Sequence, residues 1–221
     1  MEQINKKLFL WISLLAFLGG GMNAFAILQF SLTASHITGT VTRISTDLAY
    51  YNISHLKIMI GLVVAFFVGA IVSGIIIGSG RDFELKKRYG DTLIFIGVLL
   101  KILDIYLYTE VLCVFILAFS LGLQNGLFIR YKGLVIRTTH VTGTVTDLGV
   151  VIGHYLRGSR EIGWKMKYYT MNILSFVIGG LLVGLGLKYL GRTVLNYMSL
   201  AYILSGVYYF LLRDRHYKIK R

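Results

Sequence analysis

Two seven-residue segments combine an imidazole, several hydroxyls and a glycine in the same order. They read HITGTVT from His36 to Thr42 and HVTGTVT from His140 to Thr146, and we call them the first and second motifs. An imidazole changes its charge near neutral pH and can carry a proton, and threonine hydroxyls both donate and accept hydrogen bonds. Glycine leaves room for a ligand or a second backbone. These residue types favour recognition of a small polar or anionic solute, with the histidines as candidate proton carriers.

Amide side chains precede both motifs at similar distances. Asn23 lies 13 residues before His36, and Asn125 lies 15 residues before His140. Amides inside apolar segments are costly in lipid and normally face protein or water. The predicted solute-binding residues are therefore Asn23, His36, Thr38, Gly39, Thr40, Thr42, Gln124, Asn125, His140, Thr142, Gly143, Thr144 and Thr146.

A purely structural role is the alternative for these residues. The amides can form hydrogen bonds between helices that only stabilise a bundle. Each histidine can likewise be an interfacial residue that only closes a loop. The matched positions of the amides before the two motifs favour the binding role, and both interpretations stay open at the level of the sequence.

Four charged residues are candidates for a coupling site or for ion pairs. Lys101 and Asp104 lie three residues apart on one helix face, near the end of an apolar run, which favours an ion pair that reaches the membrane surface. Arg43 and Asp147 occupy matching positions after the two histidines, so their opposite charges can meet across a two-fold axis. An ordinary solvated helix face explains them more simply. Asp47 lies one turn from Arg43 and can pair with it.

No arrangement typical of an enzyme accompanies these residues. The sequence contains no phosphate-binding loop, no Ser–His–Asp spacing, no paired carboxylates at catalytic spacing and no cofactor fingerprint. No second His, Cys or carboxylate stands at ligand spacing beside His36 or His140, so no metal site is predicted. Cys113, the single cysteine, lies in an apolar run and is predicted to be a buried hydrophobic residue. We predict a protein that is not an enzyme and that uses no cofactor.

The elements that must position these residues are predicted to be membrane-spanning helices. The 221 residues are 56% hydrophobic and contain no proline, and their mean hydropathy is +0.70. A bilayer core of about 30 Å requires long apolar helices, because lipid cannot satisfy backbone polar groups. The fold class is therefore an all-α polytopic membrane protein with six spans: Leu8–Phe30, Leu56–Gly78, Thr92–Leu107, Val111–Ile129, Tyr168–Leu190 and Val194–Leu212.

The similarity between the two parts of the chain extends beyond the motifs. GGGMNAF at 19–25 resembles LGLQNGLF at 121–128, and each motif is followed by an apolar run with closely spaced glycines. Such small residues let helices pack closely in a membrane. We therefore predict two repeats of three spans, residues 1–108 and 109–221, which together form one integral membrane domain.

The positive charges fall unevenly on the two sides of the membrane. With six spans, 18 of the 23 Lys and Arg residues lie at the termini and after spans two and four, and four lie on the opposite side. Cytoplasmic segments carry the excess of Lys and Arg, so both termini are predicted to be cytoplasmic. Contact of these loops with lipid explains the formal net charge of +13, and no nucleic-acid partner is predicted.

Three spans in each repeat make the second repeat inverted relative to the first. The first motif then enters the membrane from outside and the second from the cytoplasm. An eight-span alternative, in which both motifs cross the bilayer, makes the repeats parallel. It also places the Arg81–Arg88 cluster outside, which argues against it.

Each motif is predicted to begin a short amphipathic helix that is too polar to face lipid. Ser35 or Thr38 and Thr139 or Thr142 are candidate N-caps. The helix is either re-entrant, with its N-terminus near the midplane as in inverted-repeat transporters, or it lies flat on the membrane surface. The duplicated polarity favours the re-entrant form. The predicted apolar faces are Ile37, Val41, Ile44 and Leu48 in the first helix and Val141, Val145, Leu148 and Ile152 in the second.

The chain resembles the YoaK family of bacterial membrane proteins. The resemblance is carried by GGGMNAFAILQFSLTASHITGTVTRISTDLA and LGLQNGLFIRYKGLVIRTTHVTGTVTDLGVVIGHYLRG, and it spans nearly the whole chain. It implies a six-span protein of the bacterial cytoplasmic membrane and implies no particular activity. Asn23 stands where an aspartate is common in the family, and both motif histidines stand where other residues are often found. The departure at Asn23 argues against a carboxylate proton carrier there, and it suggests neutral recognition at that position or a coupling role carried elsewhere.

Together these features predict a small secondary transporter or channel. Its site for a small polar or anionic solute is placed near the midplane, between the two inverted repeats. The lipid bilayer, the solute and a second copy of the chain in a homodimer are the expected partners. The alternative is a membrane scaffold or sensor that transports nothing and binds a partner through its basic loops.

Overall fold

The computed structural model describes residues 2–78, 85–127, 129–131, 134–159 and 163–220, which form eight α-helices and one β-hairpin. Arg81, Lys132, Arg160 and Arg221, which contribute to the charge count, lie outside the described residues. The elements are α1 (Glu2–Phe30), α2 (Ile37–Ala49), α3 (Ile53–Ile77), α4 (Arg88–Tyr106), α5 (Val111–Asn125), β1 (Ile129–Tyr131), β2 (Leu134–Ile136), α6 (Val141–Leu156), α7 (Gly163–Leu190) and α8 (Thr193–Lys220).

Each predicted span corresponds to a helix, and each motif begins one. The predicted spans lie in α1, α3, α4, α5, α7 and α8, and the motifs begin α2 and α6. The predicted helical fold is confirmed at this level. α5 ends at Asn125 instead of the predicted Ile129, because the chain turns there into the antiparallel hairpin of β1 and β2. Four of the described helices are long and apolar enough to cross a membrane, over Lys6–Phe30, Ile53–Ile77, Gly163–Leu190 and Thr193–Asp214.

The outward faces of the long helices are apolar. On α3, Phe67 and Ile75 are exposed, and on α7 Leu174 and Leu181 are exposed. Large contiguous apolar surfaces are rare on soluble monomers and mark contact with lipid or with another protein. The described surface is therefore compatible with a membrane protein.

The main helix contacts join the two parts of the chain. α1 packs along α7, α3 packs along α5, and α4 packs along α8. We match α1 with α5, α2 with α6, α3 with α7, and α4 with α8. The contact of α1 with α7 then corresponds to the contact of α5 with α3. The contact of α4 with α8 joins two helices that are matched with each other. The contacts of α2 on α3 and of α6 on α7 correspond in the same way. Among the described helices, the first and third helices of each part therefore pack on the third and first helices of the other part.

Four Phe-x-x-Gly sequences supply the closest approaches in two of these helix pairs. In each pair, a Cβ on the glycine of one helix would meet the carbonyl oxygen of the phenylalanine on the other, well within 3.0 Å. Only a residue without a Cβ permits such an approach of two backbones. The reciprocal contacts are Gly20 with Phe176 and Gly179 with Phe17 between α1 and α7, and Gly69 with Phe119 and Gly122 with Phe66 between α3 and α5.

The contacts between α4 and α8 give the relative direction of these two helices. Gly97 of α4 approaches the carbonyl oxygen of Ser199, whereas Gly90, earlier in α4, approaches the ring of Phe210. The two helices therefore run antiparallel. The eight-span alternative with parallel repeats requires these matched helices to run in the same direction, and it does not fit this pair.

Candidate functional site

One cavity of about 610 Å³ lies between the beginnings of α2 and α6, and we call it the central cavity. Both parts of the chain line it, and many lining residues are corresponding pairs. Phe66 and Phe176, the phenylalanines of two Phe-x-x-Gly sequences, also line it, as do Thr33 and Arg137. The pairs from the motifs and their preceding segments are Asn23 and Asn125, Ser35 and Thr139, His36 and His140, Ile37 and Val141, and Thr38 and Thr142.

The two asparagines hold the segments that lead into the motifs. The Asn23 side-chain oxygen accepts hydrogen bonds from the backbone N–H groups of Ala34 and Ser35 and from the Ser35 hydroxyl, each at 3.1 Å. The Asn125 side-chain oxygen accepts from the Thr139 N–H at 3.2 Å, and its amide nitrogen donates to the Thr139 hydroxyl. Ser35 and Thr139 are therefore occupied by these amides and do not cap the helices as predicted. The asparagines fix the chain entry and line the cavity at the same time.

Each motif histidine folds over the glycine three residues later. His36 and His140 are the N-cap residues of α2 and α6, and neither helix start has a side-chain cap hydrogen bond. A Cβ on Gly39 would lie 2.9 Å from Nδ1 of His36, and one on Gly143 would lie 2.6 Å from Nδ1 of His140. The space predicted for a ligand or a second backbone beside these glycines is thus occupied by the motif's own imidazole. The spacing His-x-x-Gly is what lets each ring lie against its helix.

Alanine in place of Gly143 is expected to displace the His140 ring toward the cavity that it lines. The ring is the end of a flexible side chain, so we expect the protein to fold and the change to be local. A single cysteine at Thr142, in a chain with Cys113 replaced by serine, is expected to react with a small thiol reagent about tenfold more slowly, which corresponds to a barrier higher by about 1.4 kcal/mol.

Gly149→Ala is the matched control for this prediction, since Gly149 lies on the same helix and a Cβ there meets nothing within 4 Å. Its reaction rate at Thr142 should stay close to that of the parent. An unchanged rate in the Gly143 variant would mean that the ring position does not control access to the cavity.

Only one threonine of each motif lines the central cavity. Thr38 and Thr142 line it and are exposed, whereas Thr40 and Thr144 are buried. The other hydroxyls donate to a carbonyl oxygen of their own helix, a common way to satisfy threonine within a helix. These bonds run from Thr40 to His36, from Thr42 to Thr38, from Thr144 to His140 and from Thr146 to Thr142, each at 3.0 Å.

The face of α2 that packs on the protein differs from the predicted one. Val41 and Leu48 of the predicted apolar face are 46% and 56% exposed, whereas Thr40 and Asp47 are 3% and 8% exposed. On α6 the matching positions are buried and exposed in the same way, but Val151 stands where α2 has Asp47. The buried face of α2 is therefore not the predicted apolar one, and its exposed surface is mixed, since Arg43 and Thr46 are exposed as well.

The electrostatic environment of the central cavity suits an anion or the negative end of a polar solute. The first turns of α2 and α6 both line it, at Ile37 and Val141. Uncapped N–H groups at a helix start carry a partial positive charge. Arg137 adds a guanidinium, and no carboxylate is among the described residues that line the cavity.

Gln124 lies outside the central cavity, and its side chain forms hydrogen bonds with three buried groups. Its amide nitrogen donates to the Leu15 carbonyl oxygen at 2.9 Å and to the Thr138 hydroxyl at 2.7 Å, and its oxygen accepts from the Tyr202 hydroxyl at 2.6 Å. All these groups are buried. The predicted solute contact of Gln124 is replaced by a link between α1, α5, α8 and the segment before the second motif.

The charged pair Lys101 and Asp104 lies on α4, away from the central cavity. Their side chains are 3.9 Å apart, and Asp104 is closer to Arg192, at 3.1 Å. Lys101 also donates to Asn196. Arg192 lies between α7 and α8, and Asn196 lies on α8, so these contacts join α4 to the beginning of α8 and to the segment before it. They favour the ion-pair interpretation over a coupling site.

The charged residues of α2 and α6 contact the helix that follows each of them. Asp47 lies 2.5 Å from Nδ1 of His55 on α3, so its partner is His55 and not the predicted Arg43. Asp147 forms a hydrogen bond with Tyr169 on α7. The predicted meeting of Arg43 with Asp147 is replaced by this contact, because α6 turns Asp147 toward α7.

Several residues that line the central cavity were not predicted from the sequence. Arg137 stands three residues before His140, where the first motif has Thr33, and both line the cavity. Comparison of the segments that precede the two motifs would have found them. Phe66 and Phe176 were visible only as parts of the repeated Phe-x-x-Gly sequence. No metal-binding group of three or more His, Cys, Asp or Glu residues occurs in the described part of the chain.

Comparison with known proteins gives one match. The model of a family described as "Protein of unknown function (DUF1275)" matches residues 11–208. No curated protein and no solved structure matches the chain.

Proposed function

The chain belongs to the DUF1275 family of proteins of unknown function, of which YoaK is a member, and from this starting point we propose that it is a small integral membrane transporter or channel. The solute is small and polar or anionic, and it binds in the central cavity. One observation carries the proposal: both motifs, with their histidines, threonines and uncapped helix starts, line the same cavity. Two surface helices that only covered the bundle would not need to share such a cavity.

The proposed architecture is six spans in two inverted repeats, residues 1–108 and 109–221. The reciprocal contacts of α1 with α7 and of α3 with α5 support a duplicated unit. The antiparallel direction of α4 and α8 is what inversion requires of matched helices. Transporters with inverted repeats place their site between the repeats and expose it alternately to the two sides.

We place the protein in the bacterial cytoplasmic membrane with both termini in the cytoplasm, on the strength of the positive charges. Lipid, the solute and a second copy of the chain are its partners. No enzymatic activity is proposed.

Cysteine accessibility tests the proposed site. In a Cys113→Ser chain, single cysteines at Thr38 and Thr142 are treated with an impermeant thiol reagent from each side of the membrane. We expect both positions to react, because both line the central cavity, and we expect one class of small anions to slow both reactions. A cysteine at Thr46, exposed on α2 and outside the cavity lining, is the control, and its reaction should not respond to the anion.

The outcome separates the two classes of function. Protection of both motif positions by the same solute, with uptake of that solute into proteoliposomes, supports transport. Reaction that no solute slows, together with no uptake, would favour the scaffold or sensor instead.

A further inference from the structure

A second cavity lies beside the central one, on the α6 and α7 side. It has a volume of about 290 Å³. Arg137 and His140 line both cavities. The second cavity continues along α6 to Asp147 and reaches Tyr168 and Tyr169 on α7.

The two shared residues lie where the cavities meet. A residue that lines two neighbouring cavities forms part of the partition between them. Arg137 can attract an anion from either side, since a guanidinium offers several donors to carboxylate or phosphate-like groups. The His140 ring rests against Gly143, which also lines the second cavity. Both shared residues have side chains that can change rotamer, so the partition can change without a backbone movement.

Asn172 lies on α7 between the residues that line the two cavities, and it lines neither of them in this conformation. It is one turn after Tyr168 and Tyr169 of the second cavity and one turn before Phe176 of the central cavity, so all four share a helix face. Asn172 is 1% exposed, and neither polar atom of its amide has a hydrogen-bond partner among the described residues. Buried amides without partners are rare in native structures and call for a specific explanation.

The corresponding position in the first part of the chain is apolar. Asn172 precedes the phenylalanine of its Phe-x-x-Gly sequence by four residues, and the residue four before Phe66 is Leu62, which is also buried. The two parts therefore differ at this buried position: α7 carries an amide where α3 carries a leucine.

We propose that the two cavities are successive compartments of one route for a small anionic or polar solute, with Arg137 and His140 as the constriction and the buried amide of Asn172 on the α7 face between them. The second cavity is thus a second solute site in series with the central one. This inference rests on the proposed transport function and adds the side by which the solute leaves in this conformation, which is the side of α6 and α7.

Access to a reporter cysteine tests the route without requiring flux. Ala70 lines the central cavity and is close to cysteine in size, so Ala70→Cys in a Cys113→Ser chain serves as the reporter. The full chain is placed in vesicles of known orientation and treated from each side with a small, negatively charged, impermeant thiol reagent. His140→Trp, which enlarges the constriction residue, is compared with His36→Trp, which enlarges its counterpart in the central cavity.

We expect His140→Trp to slow the reaction about tenfold from one side only, which corresponds to a barrier higher by about 1.4 kcal/mol. His36→Trp should not reproduce this one-sided loss. Equal slowing by both variants, or no slowing by His140→Trp, would overturn the proposal.

A second variant covers the case in which tryptophan at His140 prevents folding. Asn172→Leu copies the residue of the first part and removes a buried amide without partners, so we expect stability to be kept or increased. We expect it to slow the same one-sided reaction. A gain in stability with no change in reaction rate would mean that Asn172 has only a structural role and that the route is wrong.

The readout also separates this inference from the proposed function. Transport of a solute with an unchanged reporter rate in both variants would leave transport standing and remove the route. A one-sided change of the reporter rate without transport of any tested anion would keep the connected cavities and remove the transport function.

Discussion

Replacing Gly69 with alanine is expected to destabilise the protein severely, although the change adds a single methyl group. The new Cβ would collide with the backbone carbonyl of Phe119 and also lie 2.9 Å from the backbone nitrogen of Leu123. No rotamer change relieves a clash with backbone, so α3 and α5 must separate. Overpacking typically costs about 1–3 kcal/mol, and we place this variant at the upper end of that range or beyond it.

Thermal unfolding in detergent measures this effect. At about 2–4 °C per kcal/mol for a chain of this size, the melting temperature should fall by roughly 6–12 °C. Gly74→Ala is the matched control on the same helix, because a Cβ there meets nothing within 4 Å. Since alanine is the better helix former by about 1 kcal/mol, the control should match or slightly exceed the parent. Equal losses in both variants would mean that helix flexibility, and not the close contact with α5, sets the effect.

The reciprocal Phe-x-x-Gly contacts mark what sequence patterns can and cannot predict about this fold. The glycines of GAIVSGIIIG and GGLLVG predicted helices that pack closely. They did not predict that α3 packs on α5 and α7 on α1, across the two parts of the chain. The exposed faces of these helices are mostly apolar, and lipid accepts any such face, so hydrophobic periodicity carries little information on which faces meet. The repeated position of the phenylalanine before the glycine carries that information.

The motifs show the same division between local pattern and tertiary context. The sequence predicted that each motif begins a helix, and the structure has helices that start at Ile37 and Val141. The role of Gly39 could not be predicted, because the group that fills the space beside it is the ring of His36, which lies one turn away. The exposure of Val41 could not be predicted either, because periodicity identifies an apolar face but does not show whether protein or lipid covers it.

The wall residues of the site were the least predictable. Asn23 and Asn125 were predicted to have polar surroundings because amides in apolar segments need partners. Sequence alone could not say that their partners are the segments before the motifs, which makes them both positioning and lining residues. Asn125 and Gln124 are adjacent in sequence, yet they face different surroundings, since neighbours on a helix point about 100° apart.

Replacing Gln124 with leucine is expected to weaken the protein and to loosen the second motif. The change leaves the Tyr202 hydroxyl and the Thr138 hydroxyl without their partner in a buried environment. Each buried group left unpaired costs about 1–3 kcal/mol. Thr138 lies two residues before His140, so the loss also frees the segment that leads into α6. The melting temperature and the reaction rate of a cysteine at Thr142 measure the two effects.

A double-mutant cycle with Tyr202→Phe isolates the bond between Gln124 and Tyr202. Interhelical hydrogen bonds in membrane proteins average about 0.6 kcal/mol and reach about 1.7, and we expect a coupling toward the upper value because both residues are almost fully buried. Met22 occupies the position before Asn23 that Gln124 occupies before Asn125, so Met22→Leu is the control for a change of shape alone, which usually costs less than about 1.5 kcal/mol. If the cycle shows no coupling and Met22→Leu loses as much stability as Gln124→Leu, packing and not this hydrogen bond holds the second motif in place. If coupling is present and only Gln124→Leu alters the reaction at Thr142, the bond to Tyr202 ties α8 to the motif, and a movement of α8 against α5 would be felt directly at the site.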